Sequence, residues 1–115
     1  MTKPNSASEQ ITAELTSWPG IAAGPGPRGG EFAFTVGGQE IGHLHGDHAA
    51  HFGFPRQVGA ELRAQGRVGP HPVNPHSTKM AARRIATDDD VRDVIELLRL
   101  NYDRVVAEAG LPAGA

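Results

Sequence analysis

The chain has 115 residues, 38% of them hydrophobic, with 11 Lys and Arg against 13 Asp and Glu, 15 Gly, 9 Pro, 6 His and no Cys. That length holds one core and falls short of the roughly 200 residues or more of an eight-stranded α/β barrel. The lack of cysteine excludes disulfides, thiolate zinc sites, iron–sulfur clusters and a cysteine nucleophile. A net charge of −2 gives no strong pull toward nucleic acid or anionic membrane.

Taken in chain order, Met1 to Asn5 reads as a flexible start, with no apolar signal-peptide stretch. Ser6-Ala7-Ser8-Glu9 has the spacing of a capping box, and Ile11, Leu15 and Trp18 form one stripe of a short helix that Pro19-Gly20 ends. Gly24 to Gly30 is a breaker cluster and reads as loop; its two prolines remove the N–H donors a phosphate-cradling loop needs. Phe32, Phe34 and Val36 alternate with Ala33 and Thr35, and Gly37-Gly38 supplies a two-residue turn into a second strand, Gln39 to His45. A regular register from that turn pairs Phe34 with Ile41 and Phe32 with His43. It puts His43 and His45 on the apolar face, and Glu40, Gly42 and Leu44 on the other. A one-residue bulge at the glycine pair would swap these faces.

Pro55 suits a helix start, Val58 and Leu62 share its inner face, and Gly66 stands where a left-handed cap belongs. Val68–Val73 and Met80–Ile85 are weaker strand candidates around a proline loop. Thr87 then caps a long amphipathic helix, with Asp88, Asp89 and Asp90 at its positive end and Val91, Val94, Leu98, Tyr102 and Val105 on one stripe. The expectation is one α+β domain over residues 6–109, an antiparallel sheet with flanking helices, followed by a flexible tail, 110–115. No apolar run approaches the ~18 residues of a membrane span, so a cytoplasmic protein is expected.

Histidine carries the chemistry. His43 and His45 stand at i and i+2 on a strand, on one side and about 6 to 7 Å apart along the backbone, which lets both imidazoles reach one ion. Asp47, His48 or His71 could supply a third ligand, and zinc, nickel or copper would suit the donors. The bland alternative, hydrogen-bonded or solvated histidines, stands beside this at every position. His48, His51 and His76 read as bystanders on loops, and Asp47 as a turn cap or a base. The cupin metal motif also begins His-x-His, but Ala49 and Ala50 stand where its glutamate belongs. No nucleophile elbow occurs, Ser77 and Thr78 beside His76 make a poor relay, and nothing pairs Glu31, Glu40 and Asp47 as two catalytic carboxylates. Arg63, Arg67, Arg83 and Arg84 lack an aromatic stacking platform, so the footprint for nucleic acid is weak.

The ordered combination Glu40-Ile41-Gly42-His43-Leu44-His45-Gly46-Asp47, Phe54-Pro55, the Gly66 turn, His71, Pro75-x-Ser77 and Leu97-Leu98-Arg99-Leu100-Asn101-Tyr102 resembles the small bacterial luciferase-domain family over residues 30–105. The resemblance implies a similar domain, mostly uncharacterised among its members, and by its label an oxidoreductase in which His45 or Asp47 handles a proton; it does not imply light emission. Three departures stand out: His71-Pro72 in place of a histidine pair, Ser77-Thr78-Lys79 in place of Ser-Gly-Trp, and His51 in place of an acidic residue. The layout is also similar to the MmcQ/YjbR-like proteins, which would imply nucleic-acid binding.

The leading expectation is a small-ligand or metal-binding module. Its site residues are Glu40, His43, His45, Asp47 and His71, and its metal ligands His43, His45 and His71. Partners would be a small molecule and, for so lean a core, a second copy of the chain, with no nucleic acid and no membrane.

Overall fold

The computed structural model describes residues 6–110; the expected flexible start, 1–5, and all of the expected tail except Gly110 lie outside the described residues. Three helices, α1 (Ala7–Leu15), α2 (Arg56–Ala64) and α3 (Asp88–Ala109), accompany six strands: β1 (Ile21–Pro25), β2 (Glu31–Val36), β3 (Gln39–His45), β4 (Ala49–Gly53), β5 (Gly69–Pro70) and β6 (Met80–Arg84). The strands form one antiparallel sheet in the order β1-β2-β3-β4-β6-β5. The α+β architecture, with an N-terminal helix and a long C-terminal one, is the one expected.

The helices form where their ends are satisfied. Ser6 and Glu9 close the capping box of α1, and Thr87 and Asp90 close that of α3. Helix α3, about 33 Å long at 1.5 Å per residue, buries Val94, Leu97, Leu98 and Tyr102 in one cluster with Ile11 and Leu15 of α1 and with Phe34, Ile41, Leu44 and Phe52 of the sheet. Each fully buried large side chain contributes about 1.5–3 kcal/mol of transfer free energy. The Tyr102 hydroxyl donates to the Pro19 carbonyl at 2.6 Å, tying the turn after α1 to α3.

Two strands lie where the sequence read as loop. Ile21–Pro25 pairs with β2 as an edge strand, a position where Pro25 costs no ladder bond to a second neighbour. Ala49–Gly53 pairs back on β3 across the Gly46 turn, where Gly46 adopts φ +58°.

The β2–β3 register corrects the expectation. Val36 faces Gln39 and Thr35 faces Glu40, but Phe34 then faces Gly42, Ala33 faces His43, Phe32 faces Leu44 and Glu31 faces His45. Ile41 is the extra residue of a β-bulge, placed past the glycine turn rather than at it. The bulge puts Gly42 and Leu44 behind the phenylalanines and sends His43 and His45 to the opposite face. Both Glu40, before the bulge, and His43, after it, now lie on that opposite face.

Asn101 holds the bulge in place. Wholly buried, its side-chain amide donates to the carbonyls of Ile41 and Gly53, both at 2.9 Å, while its oxygen accepts from Arg104 Nε and Nη2 at 2.9 and 2.6 Å. A Cβ on Gly42 would lie 2.6 Å from Leu98 Cδ2, so glycine is what lets α3 approach the strand at this point.

Candidate metal centre

The face turned away from α3 is built of small residues and imidazoles. Across the strands, Ala33 faces His43, His43 faces His51, His51 faces Ala82 and Ala82 faces Gly69. In the next row, Glu31 faces His45 and His45 faces Ala49. Small neighbours leave room for rings to lean together: centroids are 4.9 Å apart for His43 and His45, 5.3 Å for His43 and His51, and 4.3 Å for His45 and His51. One ring nitrogen from each of His43, His45 and His51 lies within 4.8 Å of the other two.

Each ring is oriented differently. His43 Nδ1 lies 2.8 Å from Glu40 Oε2, which favours the Nδ1–H tautomer and leaves the Nε2 lone pair free, as in carboxylate–histidine–metal arrangements. His43 Nε2 is 3.6 Å from Glu31 Oε2. His45 Nε2 is buried without a hydrogen-bond partner, at 4.0 Å from the same carboxylate oxygen. His51 is half-buried; loss of solvation, reinforced by His45, His71 and His43, lowers its pKa to about 4, so the ring is neutral and its lone pair available.

His71 stands beside the cluster, its ring centroid 4.4 Å from that of His51, and is buried at 4% exposure. Its Nδ1 accepts from the Val73 N–H at 3.1 Å, which occupies that lone pair and leaves the hydrogen on Nε2. Its pKa is lowered, first by burial and then by His43, Arg28 and His45, with Glu31 opposing. In this conformation His71 packs against the cluster and does not offer it a lone pair. Asp47 lies in the turn after β3 and accepts from the Ser8 N–H at 2.8 Å, a bond that lowers its pKa and fastens the start of α1. Glu40, His43 and His45 are thus brought together, His71 flanks them, and Asp47 serves the neighbouring helix.

Sequence reasoning missed two members. His51 read as a loop bystander, yet a three-residue turn at Gly46-Asp47-His48 makes His51 the cross-strand partner of His43. Glu31, first residue of β2 and 8% exposed, was weighed only as half of an acid–base pair.

A groove of about 520 Å³ between α1 and the sheet is lined by Thr12, Ala13, Phe32 and Leu44, with Glu31 also on its wall. Among the described residues, no helix is long and apolar enough to cross a membrane.

The family model described as Luciferase domain matches residues 38–101, a span that holds β3, the Gly46 turn, His51, His71 and Asn101. No curated protein and no solved structure matches the chain, and nothing in the comparisons supports the MmcQ/YjbR likeness.

Proposed function

The chain belongs to the luciferase-domain family, and from that premise and the imidazole cluster we propose that it is a divalent-metal-binding module whose ligands are His43, His45 and His51. One observation carries the reading: three imidazoles from two adjacent strands bring a ring nitrogen each within 4.8 Å of one another. Imidazole donors select zinc, nickel or copper over magnesium or calcium, which prefer oxygen. Glu40 orients His43, and the small residues Ala33, Ala49 and Ala82 give the rings their space.

Calorimetric titration of metal-free, untagged protein with zinc, nickel and copper salts tests this. One ion per chain is expected, with binding lost in His43→Ala and His51→Ala. Absence of tight binding by any of the three, or unchanged binding in both variants, removes the reading.

A further inference from the structure

Glu31 is the group that the three-histidine reading leaves without a task. It begins β2 directly across from His45, and its side chain is 5% exposed, an expensive position for a carboxylate without a cation. Its Oε2 faces two imidazole nitrogens at 3.6 and 4.0 Å, beyond hydrogen-bond length. Those separations have a natural reference. With zinc–nitrogen and zinc–oxygen bonds of about 2.0–2.2 Å, neighbouring ligands of a tetrahedron stand roughly 3.3–3.6 Å apart. The carboxylate oxygen thus stands at or just beyond that spacing from His43 Nε2 and His45 Nε2, the two ring nitrogens it faces.

The preceding loop holds the carboxylate there. The Gly26 N–H donates to the Glu31 carbonyl at 2.9 Å, and a Cβ on Gly26 would lie 2.8 Å from Glu31 Oε1 and 2.9 Å from its Cβ. A glycine at this point is therefore a requirement of the Glu31 side chain, which fills the space with one oxygen on the loop and the other toward the rings.

Building on the three-histidine reading, we infer that Glu31 is the fourth ligand, closing a tetrahedral three-histidine, one-carboxylate zinc site with no coordination position left for water or substrate. Closed four-coordinate sites hold zinc, whereas catalytic ones keep a position open. The site accordingly holds its ion, as a carrier or a structural clasp between β2, β3 and β4, and does not activate a metal-bound water. The tetrahedral arrangement, rather than the donor types, favours zinc over copper(II), which prefers a tetragonal one.

Cobalt(II) reports on this because its visible bands follow coordination number. The untagged protein loaded with one cobalt ion is expected to show intense four-coordinate bands that do not change on adding azide. Glu31→Ala, and Glu31→Gln should the alanine variant fail to fold, is expected to keep cobalt, with affinity reduced by at least the roughly 10–100-fold that loss of a supporting partner costs, and to gain azide-sensitive bands. Azide-sensitive bands in the unsubstituted protein, or identical spectra in protein and variants, would overturn the role of Glu31 while leaving the three histidines in place. Failure of the unsubstituted protein to bind cobalt or zinc overturns both.

Discussion

On the helix-covered face of the sheet, Phe34, Ile41, Leu44 and Phe52 are at most 3% exposed and form a single cluster with α1 and α3. On the opposite face, the same strands carry Glu31, Ala33, His43, His45 and His51, with no large apolar side chain among them. The alternation of a strand makes both faces from one sequence, and the Ile41 bulge decides which residues go to which. The two faces divide the labour: one supplies the hydrophobic burial that folds a short chain, and the other, relieved of that task, holds polar groups close together.

If that division holds, substitutions on the two faces have separable effects. The largest loss of stability is expected for Leu97→Ala, a wholly buried residue on the helix side. It should cost about 2–5 kcal/mol in urea unfolding and leave zinc affinity of the folded protein unchanged. Asn101→Leu links the two faces. The buried bond to the Ile41 carbonyl and the part-buried one to the Gly53 carbonyl lose their donor, and the expected cost is about 1–3 kcal/mol. Zinc affinity should fall as well, because the bulge sets the faces of His43 and His45; full affinity in a folded Asn101→Leu protein would show that the bulge stands without its clamp.

His51→Ala should do the reverse of Leu97→Ala. Its effect on metal-free stability is expected to stay under about 1 kcal/mol, with zinc affinity in competition titrations falling by more than the roughly 10–100-fold seen for supporting partners. Glu40→Gln, which alters only the group that orients His43, should weaken zinc by about tenfold.

The smallest effect belongs to acid. Asp90 at the start of α3 accepts from the Ala86 and Thr87 N–H groups and pairs with Arg83, and its pKa falls to about 2 from 3.8, first through the Ala86 bond. A depressed carboxyl pKa stabilises the fold above the unfolded value and loses that contribution as pH drops through the folded one. The gap in urea midpoint between the unsubstituted protein and Asp90→Asn should therefore be full above about pH 4 and close toward pH 2.

How much of this was legible in the sequence depended on range. The capping box of α1, the Thr87 cap of α3, the apolar stripes of both helices and the Gly37-Gly38 turn are local signals, and the structure carries each of them. The bulge at Ile41 depends on Asn101, 60 residues away, so no local pattern could place it. A regular register therefore sent His43 and His45 to the wrong face. β1 was hidden because Gly24 and Pro25 signal breakage, though an edge strand tolerates them. His51 was hidden because β4 is only five residues long and lacks a clear alternation, although the short turn before it holds the clue.

X-ray absorption at the zinc edge of the untagged protein, loaded with one equivalent, tests whether the face left free by the core is a three-imidazole metal site. Three imidazole nitrogens at about 2.0–2.1 Å are predicted. A shell dominated by water oxygens, or one with fewer than two imidazoles, would contradict it.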